Sequence, residues 1–269
     1  GQLGDGTNSN RNSPVSVNLG TNKTAVSISS SNDFSCALLN TGEVSCWGDN
    51  SYGILADGTT SNSNSPVIVN HSVGERAVSI ATPGYSVCAI FSSGNISCWG
   101  DSYTISSSNG NLVSGSISIT LPTNRTAISL DGIGSHVCII LDNNSVNCWG
   151  VNTYGQLGNG ECSSVIPSSG CTGTNTNSPK YVNLSNVIAI SSGSDSTCSI
   201  NANYQLFCWG KQEQIFDNTS NSKLSPYLMN FNASNVSYSD QDMDGDGIVN
   251  DLDVHMSGDD DGDGVPSPA

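Results

Sequence analysis

Short apolar segments recur along the chain with a spacing of about fifty residues, a period typical of propellers and solenoids. They are Ala25-Val26-Ser27-Ile28, Ala77-Val78-Ser79-Ile80, Ala127-Ile128-Ser129-Leu130 and Val187-Ile188-Ala189-Ile190. Eleven residues after the start of each comes a cysteine: Cys36, Cys88, Cys138 and Cys198. Ten residues further on comes the triplet Cys-Trp-Gly, beginning at Cys46, Cys98, Cys148 and Cys208. Centring the first Cys-to-Cys segment on Thr41 puts Cys36 opposite Cys46 and Leu38 opposite Val44. The same centring opposes Ile90 to Ile96, Ile140 to Val146 and Ile200 to Leu206. Each segment therefore reads as a β-hairpin, with residues 40–42 as the loop of the first and Gly42 free to take the left-handed conformation such loops need. Strand alternation sends Cys36 and Leu38 to one face, and Ala37, Leu39 and Trp47 to the other. With both faces apolar, each sheet is expected to pack between two sheets like itself.

A second half of the unit follows each hairpin. It is clearest in Tyr154-Gly155-Gln156-Leu157-Gly158 with Ser178-Pro179-Lys180-Tyr181-Val182, and in Tyr52-Gly53-Ile54-Leu55 with Ser65-Pro66-Val67. The chain opens on this half alone, with Gly1-Gln2-Leu3-Gly4 and Ser13-Pro14-Val15. The second copy departs from it at Tyr103-Thr104-Ile105-Ser106 and the fourth at Gln212-Glu213-Gln214-Ile215. Together these motifs resemble the repeats of the regulator of chromosome condensation family across residues 1–239. The resemblance implies an all-β propeller with four-stranded blades, and His136 matches a histidine usual in the family before the hairpin. The expected division is a half repeat 1–24, repeats 25–76, 77–126, 127–186 and 187–234, and the first strand of another at 235–239. About four and a half repeats are expected to belong to a larger propeller, or to one completed between molecules. The nuclear member of the family exchanges nucleotides; its secreted members, which this chain resembles better, bind proteins.

Charge changes the picture at one place. The chain carries a formal charge of −16 with only seven Lys and Arg. Residues 240–269 contain ten Asp and no base, so a strongly acidic tail follows a mildly acidic body. So few bases disfavour nucleic acid as a partner, and no apolar run is long enough to span a bilayer. The abrupt start at Gly1 reads as a mature or truncated chain.

The ten cysteines form five local pairs: Cys36–Cys46, Cys88–Cys98, Cys138–Cys148 and Cys198–Cys208 at the ten-residue spacing, and Cys162–Cys171 within an insertion of the third repeat. An even count at repeated spacing points to disulfides formed in an oxidising compartment, hence to a secreted or cell-surface protein. Close Cys-x-x-Cys pairs suited to zinc are absent from the sequence. Asn-x-Ser/Thr sequons stand at Asn22, Asn70, Asn95, Asn124, Asn143, Asn183, Asn218, Asn232 and Asn235, with Asn143 at a hairpin tip.

The tail carries the strongest chemical motif. Asp242, Asp244 and Asp246 occupy positions one, three and five of a loop with Gly247 at six. The Ile248 carbonyl, Asn250 and Asp253 then fall at seven, nine and twelve. Hard oxygen ligands at this spacing suit calcium, and the segment resembles dockerin loops and thrombospondin type-three repeats. A second start at Asp259, Asp261 and Asp263 runs into the C-terminus.

His71, His136 and His255 have no repeated acid or nucleophile beside them, so the expectation is a non-enzymatic protein. The four Trp read as packing between blades. The leading functional expectation is an extracellular binding or adhesion module that holds a protein or glycan on a propeller face. Copies of the chain building a filament or surface layer form a second expectation, and a secreted hydrolase a third with no residues assigned.

Overall fold

Each apolar segment begins a four-stranded antiparallel sheet. In the computed structural model, residues 1–70, 75–101, 113–161, 164–166, 170–172, 175–211 and 222–229 are described, all within the unit Gly1–Met229. The first sheet comprises β1 (Ala25–Ser30), β2 (Phe34–Leu39), β3 (Val44–Gly48) and β4 (Ser63–Ile68), hydrogen-bonded in that order. The second comprises β5 (Ala77–Ala81), β6 (Ser86–Phe91), β7 (Ile96–Gly100) and β8 (Val113–Ile119). The third contains β9 (Ala127–Asp131), β10 (His136–Leu141) and β11 (Val146–Gly150). After it the insertion forms a separate hairpin, β12 (Ser164–Ile166) with β13 (Gly170–Thr172), before β14 (Thr176–Val182) completes the sheet. The fourth comprises β15 (Val187–Ser192), β16 (Ser196–Asn201), β17 (Leu206–Gly210) and β18 (Lys223–Leu228). This is an all-β propeller architecture, one repeat to a blade.

The hairpin register follows the centring. Cys36 opposes Cys46 and Leu38 opposes Val44, and the other three hairpins match them. Gly42 takes φ 82° and closes the turn by donating its amide to Leu39 O. Four cystines join the opposed positions, each with Cα atoms 4.1 Å apart. Cys162 lies outside the described residues, and with it the fifth pairing.

Alternation then builds the core between blades rather than within them. Cys36, Leu38, Val44 and Cys46 of the first blade pack with Val87, Ala89, Phe91 and Trp99 of the second. Cys88, Ile90, Ile96 and Cys98 meet Val137, Ile139, Leu141 and Trp149 of the third. Cys138, Ile140, Val146 and Cys148 meet Val187 and Trp209 of the fourth. The cystine is thus one face of each blade and the tryptophan the opposite face, and three such contacts repeat. On the tryptophan face of the first blade, Ala37, Leu39 and Trp47 are covered by Val17 and Leu19 of the opening half repeat.

The Trp-Gly pair has a backbone cause. Between Cys46 and Gly48 the ladder shifts register, and the same irregularity precedes Gly100, Gly150 and Gly210. These glycines take φ between 105° and 113°. A Cβ on Gly48 would lie 2.4 Å from Asp33 O, and one on Gly150 2.4 Å from Ser135 O. Any larger residue would push the third strand off the second.

Blades are also joined through the backbone. The amides of Ala77, Ala127 and Val187, each opening an inner strand, donate to Gly42 O, Gly94 O and Asn144 O in the hairpin turn of the preceding blade.

Candidate recognition surfaces

The strand order gives the propeller two ends. One carries the hairpin turns, including Gly42, Gly94 and Asn144. The other carries the turns between first and second strands and the long loops after each Trp-Gly.

The long loop is organised by a buried asparagine. Asn50 Oδ1 accepts from Leu55 N at 2.8 Å, its own amide donates to Asn62 Oδ1, and its Nδ2 reaches Thr59 O. Asn152 repeats the first two of these bonds, accepting from Leu157 N and donating its amide to Asn175 Oδ1, while its Nδ2 has no partner among the described residues. So held, the loop aims a carbonyl at the tryptophan of the next blade. Trp99 Nε1 donates to Ile54 O at 2.8 Å, Trp209 Nε1 to Gln156 O at 2.9 Å, and Trp47 Nε1 to Gln2 O at 2.9 Å. The Gly-Gln-Leu-Gly motif is therefore the acceptor that satisfies a buried indole. Trp149 Nε1 is buried with no partner among the described residues; the corresponding element of repeat two, Tyr103–Ser106, lies outside them, as does Gln212–Ile215. The asparagines were readable as Trp-Gly-x-Asn at a repeated spacing, yet sequence reasoning missed them.

Asp5 and Asp57 begin the next turn of their loops. The Thr7 hydroxyl, its amide and Arg11 hold Asp5 below its usual range. Partial burial pushes Asp57 up, but the Thr59 hydroxyl and amide with Asn50 outweigh it and leave the carboxyl lowered.

His136 sits at the boundary of the third and fourth blades, fully buried. Thr197 Oγ1 donates to Gln156 O, so it accepts from His136 Nε2, 2.8 Å away. The ring is accordingly protonated on Nε2, and Nδ1 has no partner among the described residues. Burial pushes its pKa down to about 4. The chain His136–Thr197–Gln156–Trp209 is a structural clamp between blades, with no nucleophile exposed at it.

Among the described residues no cluster of three His, Cys, Asp or Glu is arranged to hold a metal. The expected calcium ligands Asp242, Asp244, Asp246, Ile248, Asn250, Asp253, Asp259, Asp261 and Asp263 lie outside the described residues, as do His71, His255, Asn218, Asn232 and Asn235. The other six sequon asparagines are all exposed. At the tip of the third hairpin, Asn143 Oδ1 accepts from both Ser145 N and Ser145 Oγ.

The two ends differ in charge. Around the hairpin turns, Lys23, Arg76 and Arg125 stand with Glu43, Glu75 and Asp142, and Lys23 and Arg125 are paired with Glu43 and Asp142. The loop end of the first two blades presents Asp33, Asp49, Asp57 and Asp101, and Arg11 of the opening half repeat is paired with Asp5 at 2.7 Å. No helix among the described residues is long and apolar enough to cross a membrane.

Blades of four antiparallel strands, stacked face to face and latched by a loop carbonyl to the next tryptophan, define a β-propeller repeat protein. The model of the regulator of chromosome condensation (RCC1) repeat matches residues 1–38, 41–90 and 143–200, just over half of the chain, and a second model of the same repeat matches 25–54. The chain belongs to the RCC1 repeat family. Human WBSCR16 superposes with a TM-score of 0.66 at 18% identity, over 78% of this chain and 54% of that one. Yeast RCC1 (Prp20), solved bound to Kap60, gives 0.67 at 17% identity, over 81% of this chain and 51% of that one. Prp20p from Saccharomyces cerevisiae, in a structure reported with its binding properties to Gsp1p and histones, gives 0.59 at 20%, over 77% and 51%. The chain spans about half the length of these proteins, and at such identities the likeness is one of fold. No curated protein matches the chain.

Proposed function

We propose that the chain is a non-catalytic binding or adhesion module of a secreted or cell-surface protein, presenting a propeller face to a protein or glycan, with a calcium-ordered acidic tail. The observation that carries this reading is the set of four local cystines. Three of them are buried in the contacts between blades, so blade assembly uses oxidised cysteine as its apolar surface. Such a protein belongs in an oxidising compartment. Its loops lie at the two ends of a sheet scaffold, where recognition residues concentrate. Labelled chain applied to the surface of the cells that secrete it, or to their matrix, should be retained saturably. Retention that never saturates, or turnover of a substrate by the purified chain, would refute the module.

A filament or surface-layer subunit is the second reading, and one observation favours it. Ile28 is 78% exposed, whereas its counterparts Ile80 and Leu130 are 7% and 6% exposed. At the other end of the row Ile200 is 37% exposed, against 1% for Ile90 and for Ile140. Both outer blade faces thus present apolar residues that inner blades bury, and either further blades of a longer chain or a neighbouring copy would cover them. Sedimentation of the chain decides: concentration-dependent association supports the second reading, and a stable monomer removes it.

A further inference from the structure

The loop end of the first two blades holds a group of side chains that the repeat does not require. Tyr52, from the loop after β3, and Tyr85, from the turn before β6, lie ring to ring across the blade boundary, their centroids 4.9 Å apart and planes tilted by 31°. They border a groove of about 450 Å³ that Asp33 and Asp49 also line. Among the described residues neither acid forms an ion pair with a base. Asp49 accepts from Ser51 N and Oγ, and the Asp33 carboxylate takes no hydrogen bond among the described residues. Gly1 edges the groove with its amino nitrogen turned to Gln2 Oε1.

The third and fourth blades show what this arrangement lacks. Tyr154 is the repeat counterpart of Tyr52, and over its ring lies the Lys211 ammonium, 5.1 Å from the centroid. The residue matching Lys211 in the second blade is Asp101. One tyrosine is therefore seated under a cation from its own chain, and its counterpart shares its groove with Asp33 and Asp49. A cation over a tyrosine ring is favourable, more so where it is partly desolvated. Beside the Asp33 and Asp49 carboxylates the same position selects a positive group strongly over a neutral one. A planar guanidinium meets both demands, stacking on a ring and forking onto a carboxylate, which an ammonium does less well.

We propose that this groove binds an arginine side chain from an extended basic segment of a partner protein. The inference rests on the binding-module reading and adds to it the face used and the chemistry of the partner. The test uses the full chain in calcium-containing buffer and fluorescence anisotropy with a labelled Gly/Ser peptide carrying arginines, beside the same peptide with citrulline. The arginine peptide should bind at least about tenfold more tightly, the ratio expected of one charge-assisted contact. Asp33→Asn and the double variant Asp33→Asn, Tyr85→Ser should each weaken it by a similar factor, with far-ultraviolet circular dichroism unchanged. Replacing Asp259, Asp260, Asp261 and Asp263 of the tail by Asn should leave the groove's contribution intact. Equal binding of arginine and citrulline peptides, or a loss that follows the tail variant and not the groove variants, would overturn the assignment. Saturable retention on the cell surface that ignores the groove variants would overturn it too, while leaving the binding module standing; loss of retention in the groove variants supports it.

Discussion

At the scale of single residues, His136 shows how the fold uses a titratable group without exposing it. Its Nε2 proton is committed to Thr197 and its Nδ1 is sealed in the blade boundary, so a second proton would be buried with no acceptor among the described residues. The folded pKa lies at about 4, below the ordinary 6.5. An unfolded chain takes up this proton as pH falls below about 6.5, and the folded chain refuses it until about pH 4. Stability contributed by His136 is therefore complete above the unfolded value and drains away between the two, by a total on the order of 3 kcal/mol. Denaturation midpoints measured from pH 7 to pH 4 should fall more steeply for the native chain than for His136→Gln, whose side-chain amide can still donate to Thr197. Parallel slopes would place the acid sensitivity elsewhere.

At the scale of the element, the hairpin was the most legible part of the sequence and the inner strand the least. Opposed cysteines with ten-residue spacing admit one centring, and the observed ladder follows it at Cys36–Cys46 and in all four blades. The inner strand reads as a plain apolar segment, yet its second residue is the extra residue of a bulge: the ladder passes from Ala25 to Ser27, Ala77 to Ser79, and Val187 to Ala189. Val26, Val78, Ile128 and Ile188 are consequently turned out, each more than half exposed. Alternation cannot disclose a bulge, because one added residue inverts the pattern without changing composition. The Asn50 and Asn152 clamps escaped for a related reason: a polar residue after Trp-Gly looks like loop solvation until its burial is known.

The latch between blades gives an element-scale prediction. Ile54 O accepts from the Trp99 indole and from no other described donor, whereas Gln156 O accepts from both Trp209 Nε1 and Thr197 Oγ1. Trp99→Phe should thus strand a buried carbonyl and cost about 2 kcal/mol beyond the loss of ring area. Trp209→Phe leaves its acceptor with Thr197 and should cost less. Chemical denaturation of the two variants checks the order, and a larger loss in Trp209→Phe would contradict the latch.

At the scale of the whole molecule, three contacts of one kind bind four blades, each joining a cystine face to a tryptophan face. This design makes stability nearly additive from neighbour to neighbour and leaves apolar residues such as Ile28 and Ile200 exposed at the two ends of the row. It also separates the jobs of the chain. The hairpin end is balanced in charge, the loop end of the first blades is acidic, and a tail of ten Asp follows. Calorimetric titration of the chain with calcium should show binding that Asp244→Ala with Asp246→Ala abolishes. Heat unchanged by the double substitution would remove those ligands from the account.

The blades are stapled one by one, in register, by local cystines. Peptide mapping of a non-reduced digest of native material tests this directly. Cys36–Cys46, Cys88–Cys98, Cys138–Cys148 and Cys198–Cys208 are the linked pairs expected, with no free thiol at these positions. Free thiols there, or links running between blades, would contradict both the register and the compartment.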